Sequence, residues 1–196
     1  MTAFQQTLVG AVQALRSIGL PFALIGGVAV STRTEPRFTQ DVDFIVSTQS
    51  DQVAQQLAHG MFQRGFTQHA LLEDTRTGRI ATMRLLKDGM IVDLLVGATG
   101  IEDEVVAGAT SVDLPGVGPC LVASVAGLLA LKTLARCNRN RPDDEADLHR
   151  LVAVADAREL VEARRLVALI AARGGGSASA LEGVLSRVTR ALDSGG

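Results

Sequence analysis

Residues 22–46 read Phe22-Ala-Leu-Ile-Gly26-Gly27-Val-Ala-Val-Ser-Thr-Arg-Thr-Glu-Pro-Arg-Phe-Thr-Gln-Asp41-Val-Asp43-Phe-Ile-Val46. An apolar run, Phe22 to Ile25, meets a pair of glycines. A short helix over roughly Val28 to Arg33 follows, and Glu35-Pro36 stops it, because the residue before proline disfavours helical backbone. The chain returns as a second apolar strand, Val42 to Val46. Asp41 and Asp43 stand at i and i+2, so on extended backbone they project to one face, ~7 Å apart at the α-carbons, while Val42 turns to the core. Glycine admits a ligand close to the backbone, and the start of a helix presents N–H groups without partners, which suits phosphate. Paired carboxylates suit a hard divalent cation.

Working outward, the next informative stretch is a hairpin. Residues 81–87 and 90–96 are strand-like, and Asp88-Gly89 between them predicts a type I′ turn. With those two as the loop residues, Lys87 faces Met90, Leu86 faces Ile91, Leu85 faces Val92 and Arg84 faces Asp93. Directly opposed residues share a face. Asp93 sits mid-strand in Ile91-Val-Asp-Leu-Leu95, where an unpaired charge would cost several kcal/mol. One reading pairs it with Arg84. The other places it beside Asp41 and Asp43 on adjacent strands, completing a three-carboxylate cage able to hold two cations ~3.5–4 Å apart. The Gly-Gly turn just upstream favours the cage.

The remaining chain predicts mixed α and β first, then helix only. Thr2 with Gln5 forms a capping box for a helix that ends near Gly19. Asp51 to Arg64 reads as an amphipathic helix ending at Gly65, and Glu102 to Ala107 as a short one. Val112 to Val122 is extended and rich in Gly and Pro, which places a domain boundary there. Val122 to Cys137 is apolar and periodic, Asp143 to Ala172 reads as one long amphipathic stretch, and a last helix spans about Ala180 to Leu192. The Asp193-Ser-Gly-Gly tail is expected to fray. The division expected is 1–120 for the α/β part and 121–196 for the helical part.

Composition excludes several classes. The net charge is −2, without bulk affinity for nucleic acid. With no Trp or Tyr and six Phe, a broad stacking platform for single strands is not expected. Cys120 and Cys137 form no CxxC and suggest neither a disulfide framework nor a zinc site. The N-terminus lacks a charged region followed by an apolar one, and no uncharged stretch is long enough to span a bilayer. A cytoplasmic protein without membrane partners is the expectation. His59, His69 and His149 are scattered and read as surface residues. Arg158, Arg164 and Arg165 alternate with Glu159 and Glu162 and read as a solvated helix face. Lysine is confined to Lys87 and Lys132, against seventeen arginines. Lys132 follows an apolar stripe of Leu128 and Leu131 and reads either as a snorkelling surface lysine or as a site residue. Asp143, Asp144, Glu145 and Asp147 open a helix, where acids are favoured by the dipole alone.

The Gly-Gly…Asp-x-Asp…Asp arrangement resembles the DNA polymerase β-type nucleotidyltransferase superfamily. More closely, it is similar to the AbiEii-type toxins of bacterial abortive-infection and type IV toxin–antitoxin systems. The resemblance covers residues ~20–155. It includes Arg37-Phe-Thr-Gln-Asp-Val-Asp43, Ile91-Val-Asp-Leu-Leu95, Ser124-Val-Ala-Gly-Leu-Leu-Ala-Leu-Lys132-Thr-Leu-Ala135 and Arg141-Pro-Asp-Asp-Glu-Ala-Asp-Leu148.

The resemblance implies an α+β fold: a polymerase β-like domain, with a mixed sheet and flanking helices, followed by a helical domain. It implies an Mg²⁺-dependent nucleotidyltransferase that moves a nucleoside monophosphate from an NTP to an acceptor hydroxyl and releases pyrophosphate. Gly26 and Gly27 would line the triphosphate. Asp41, Asp43 and Asp93 would hold two Mg²⁺ ions, with Asp93 also the base for the acceptor hydroxyl. Lys132 would reach the nucleotide. Asp144 and Asp147 would organise the pocket. Arg37 is expected to assist nucleotide binding, and Arg84 either to contact the triphosphate or only to neutralise the acid cluster. A tRNA 3′ end is the acceptor that toxin resemblance favours, with a protein hydroxyl or a small molecule such as an aminoglycoside as alternatives. A cognate antitoxin is the implied partner. A non-catalytic nucleotide- or partner-binding module of the same fold is the reading from a different class. The chain departs from the superfamily in three places. Gly27 stands where Ser is frequent, the gap to Asp41 is long, and Asp143 stands where the late motif has a basic residue, for which Arg139 or Arg141 would substitute.

Overall fold

Strands that are covered on both faces need apolar residues on both, and the central strands of this chain have them. A computed structural model describes residues 1–75, 77–139 and 142–193. In it, β1 (Phe22–Ile25) is buried throughout, and β2 (Val42–Val46) is buried except at Asp43. Their antiparallel pairing sets Phe22 opposite Val46 and Ile25 opposite Asp43. The rings of Phe22 and Phe44 meet edge to face, 5.7 Å between centroids.

The elements run α1 (Ala3–Ile18), β1, α2 (Gly26–Arg33), β2, α3 (Asp51–Phe62), β3 (Thr67–Glu73), β4 (Ile80–Lys87), β5 (Met90–Leu95), α4 (Glu102–Ala107), β6 (Thr110–Leu114), β7 (Gly118–Val122), α5 (Val125–Arg139), α6 (Pro142–Val154), α7 (Ala157–Ala172) and α8 (Ala178–Asp193). The sheet order is β3-β4-β5-β2-β1-β7-β6. β2 with β5 and β1 with β7 pair parallel, and the other neighbours antiparallel. α1 and α3 pack together, α1 touching β5 and α3 touching β3 and β4, while α2 lies on β1 and β2 and reaches α5 and α6. One apolar cluster runs from Leu8 of α1 through the strands to Val188 of α8. This is the expected α+β architecture with its helical C-terminal half.

Local chemistry explains the element ends. The Thr2–Gln5 capping box is formed in both directions. Asp88 and Gly89 both take positive φ, 52° and 79°, as a type I′ turn requires. The hairpin register follows from it, with Arg84 opposite Asp93. α5 begins at Val125 rather than Val122, because the Ser124 hydroxyl accepts the Gly127 N–H and so caps the helix there.

Three sequence readings are corrected. The stretch 143–172 is two helices, because Asp156 forms a capping box with Glu159 and starts a new one. α3 stops at Phe62, with the N–H groups of Arg64 and Phe66 both turned back to the Met61 carbonyl. Strand β3 went unread, since its seven residues are exposed or half-buried and carry no alternating pattern. The extended reading of 112–122 agrees with the β6–β7 hairpin, joined to the sheet where Leu24 pairs with Val122. Arg33, at the end of α2, donates to the carbonyls of Val122 and Ala123 and ties α2 to that hairpin. Residues 194–196 of the tail and Arg141 lie outside the described residues, as does the side chain of Arg139.

Candidate active site

β1 ends at Ile25 opposite Asp43, so the chain must turn into α2 directly over the Asp43 carboxylate. Gly26 makes that turn with φ 65°. A Cβ at this position would fall 1.9 Å from Oδ2 of Asp43, so the residue has to be glycine for its backbone and for its neighbour. On the other side of β2, the parallel pairing with β5 sets Asp43 opposite Asp93. Asp41 precedes the strand and is half-buried. Among the described residues, no hydrogen bond or ion pair reaches the side chain of Asp41 or Asp43.

The electrostatic result is a destabilised carboxylate. Burial, then the neighbouring charge of Asp93, push Asp43 up to about 7; Lys132 acts in the opposite direction and Asp41 adds to the rise. Asp93 is stabilised differently. Arg84 grips it from β4 with two parallel bonds, Nε to Oδ1 at 2.9 Å and Nη2 to Oδ2 at 2.7 Å. That bond to Asp93 holds Arg84 above its ordinary pKa.

Both sequence readings of Asp93 are therefore realised in part: it is paired with Arg84 and it is adjacent to Asp43. Among the described residues, no group of three or more His, Cys, Asp or Glu side chains is arranged to hold a metal ion. Arg84 donates to both oxygens of Asp93. The donors still fit a hard divalent cation. Asp41 and Asp43 offer unpaired oxygens on one chain segment, and the Gly26 backbone shapes the space beside Asp43.

A second cluster adjoins the first. Asp147 of α6 is fully buried. Its Oδ2 accepts from Arg37 at 2.7 Å and from Lys132 at 2.9 Å, and its Oδ1 accepts from Arg150 at 3.2 Å. Lys132 also donates to Asp144, 2.7 Å. Burial draws the Lys132 pKa down, but the bonds to Asp144 and Asp147 outweigh it and the net shift is upward. Asp143 is exposed and outside this network, whereas Asp144 and Asp147 are buried within it.

The two clusters meet at Gly27. A Cβ there would fall 2.7 Å from the Thr39 hydroxyl and 2.9 Å from Arg37 Nη2. The space a serine would need at 27 is taken by the hydroxyl of Thr39. Thr39 and Arg150 were missed in the sequence. Arg150 had only its i+3 spacing from Asp147 as a signal, and Thr39 none beyond lying in the motif. His59, His69 and His149 are exposed, as are Arg158, Arg164 and Arg165.

The family model described as "Nucleotidyl transferase AbiEii toxin, Type IV TA system" matches residues 12–193. The chain belongs to the AbiEii nucleotidyltransferase toxin family. The match takes in the Gly-Gly turn, all three acids and the Lys132–Asp147 cluster. No curated protein matches in sequence. Solved structures share the polymerase β-like nucleotidyltransferase fold. An antigenic nucleotidyltransferase-like protein from Paracoccidioides brasiliensis is 20% identical, with TM-score 0.51, over 91% of this chain and 92% of that one. ANT(2″)-Ia in complex with adenylyl-2″-tobramycin is 12% identical, TM-score 0.51, over 97% and 99%. The lincosamide antibiotic adenylyltransferase LnuA, lincomycin-bound, is 12% identical, TM-score 0.50, over 79% and 99%. At these identities the likeness speaks for the fold of the AbiEii-family chain. None of its described helices is long and apolar enough to cross a membrane.

Proposed function

We propose that this chain transfers a nucleoside monophosphate from an NTP to an acceptor hydroxyl, with release of pyrophosphate. The observation that carries the reading is the placement of Asp43 between Gly26, at the turn that follows β1, and Asp93 on the adjacent strand β5. Asp41 and Asp43, with Asp93, would hold the divalent cations, Mg²⁺ in the first instance. Bound there, such ions neutralise charge on the transferring phosphoryl group.

The chain's own residues supply position and field. α2 starts beside the Asp43 carboxylate with no side-chain cap on its first N–H groups, and these suit the triphosphate. Arg84 grips Asp93 with two bonds beside a second acid, and Asp93 would take the proton of the acceptor hydroxyl. Arg37 and Lys132, steadied by Asp147, supply positive charge at the helical side of the turn. Arg84 contributes it from β4. Asp144 and Asp147 keep the lysine in place.

Toxin-family membership favours a tRNA 3′ end as acceptor and implies a cognate antitoxin as partner. A small-molecule acceptor is the second reading, since the fold is shared with ANT(2″)-Ia and LnuA. The test is incubation with labelled NTPs and Mg²⁺, with total tRNA in one arm and an aminoglycoside panel in the other. Label on tRNA with wild type, and none with Asp41→Ala, is the expected result. Label only on a drug would move the acceptor. Magnesium-independent nucleotide binding without transfer in either arm would make the chain a binding module.

A further inference from the structure

Four of the six phenylalanines, Phe4, Phe22, Phe44 and Phe66, pack against or within the core, and Phe62 is 39% exposed. Phe38 is 81% exposed. Its ring makes no aromatic or cation–π contact among the described residues. A large apolar ring in water is unfavourable, and on a loose loop it would fold back onto the surface. This loop is tied down around it. The Arg37 N–H donates to the Ser31 hydroxyl at 3.2 Å, and Arg37 Nη1 donates to the Phe38 carbonyl at 3.0 Å. Arg37 Nη2 is anchored on buried Asp147, and the Thr39 hydroxyl donates to the Asp41 carbonyl at 3.3 Å. Backbone and neighbours are held, and only the ring is presented.

Its position gives the ring a use. Phe38 lies between the two residues, Arg37 and Thr39, whose side chains crowd Gly27, and three positions ahead of Asp41. It therefore stands at the rim of the place where a phosphate-bearing ligand would meet Gly27 and Asp41. A planar base stacks on an aromatic face without regard to its identity. With no Trp or Tyr in the chain, this rim can stack one base, not a run of them. We infer that Phe38 is the stacking face for a single nucleobase at the mouth of the Gly26–Gly27/Asp41–Asp43 site. The inference rests on the nucleotidyltransferase reading and adds the recognition of a base to it. The base comes either from the NTP donor or from the terminal nucleotide of the acceptor, and the chemistry of the contact is the same.

The experiment measures equilibrium binding of the full chain, with Mg²⁺, to an NTP, to tripolyphosphate and to the trinucleotide 5′-CCA-3′. Wild type, Phe38→Ala and Phe38→Trp are compared, together with their thermal midpoints, which the exposed position should leave alike. Loss of one stacked base weakens binding about 5- to 150-fold. Such a loss for the NTP in Phe38→Ala, with tripolyphosphate unchanged and Phe38→Trp at or above wild type, supports stacking of the donor base. The same loss for the trinucleotide alone supports stacking of the acceptor base. Unchanged affinities for both, or an equal loss for tripolyphosphate, overturn the inference while leaving the nucleotidyltransferase reading intact. Wild type that binds neither the NTP nor the trinucleotide, and transfers no label, overturns both.

Discussion

The backbone of Gly26 lies so close to Asp43 that a single methyl group at 26 would fall 1.9 Å from its Oδ2. Turn and carboxylate are therefore one unit. Gly26→Ala must both accept φ 65° and push Asp43 aside. The left-handed backbone alone costs roughly 1–2 kcal/mol. Thermal unfolding should show a midpoint lowered by about 5 °C or more. Nucleotide transfer should fall with it, even well below the new midpoint. An alanine variant with wild-type transfer would separate the turn from the chemistry.

Asp43 sets a pH dependence with a definite sign. Its folded value, about 7, lies above the ordinary 3.8. The folded state disfavours its charged form, so its contribution to stability is complete below about pH 4 and lost as pH rises to about 7. Without divalent cation, wild type should lose more stability between pH 5 and pH 8 than Asp43→Asn does. Mg²⁺ should restore more of it at pH 8 than at pH 5, where protons compete for the same oxygens. Urea midpoints at the two pH values, with Mg²⁺ or with chelator, give the comparison. Parallel pH curves for the two proteins would contradict it.

Arg84 and Asp93 should behave as a coupled pair. Arg84→Ala leaves a mostly buried carboxylate beside Asp43 without its counter-charge. Removing one partner of a buried pair costs about 3–5 kcal/mol, less here because Arg84 is partly exposed. Asp93→Asn in the Arg84→Ala background should recover part of that loss, since a neutral amide no longer repels Asp43. Denaturant unfolding of the four proteins in a double-mutant cycle checks this. Additive effects would mean that the bidentate contact carries no energy.

Asp147 accepts from three cations while fully buried, so its removal should destabilise more than that of any neighbouring acid. Asp147→Ala is expected to cost about 3–5 kcal/mol. Asp143→Ala, at an exposed position on the same helix, should stay within about 1 kcal/mol. Comparable losses for the two would show that the helix start, and not the Arg37–Asp147–Lys132 network, is what matters.

Much of the candidate site was legible because its signals are local. Asp88-Gly89 dictates a type I′ turn, and that turn alone places Arg84 opposite Asp93. The Gly-Gly pair and the two acids lie within eighteen residues of one another. The break at Asp156 was missed although its capping box is also local, because the amphipathic pattern continues across it. Strand β3 was missed because an edge strand open to solvent needs no apolar face.

The sequence by itself determined the hairpin register, the helix caps and the chemical character of Asp41, Asp43 and Asp93, since each depends on residues within one or two turns of chain. Tertiary structure alone decided the state of those acids. The parallel β2–β5 pairing sets Asp43 opposite Asp93, fifty positions away, and Arg37 finds Asp147 across 110. Whether a carboxylate is ionised, gripped or unpaired depends on how much water and which charges surround it. Those surroundings are assembled from elements far apart in the chain, so the raised pKa of Asp43 and its place beside Asp93 belong to the fold.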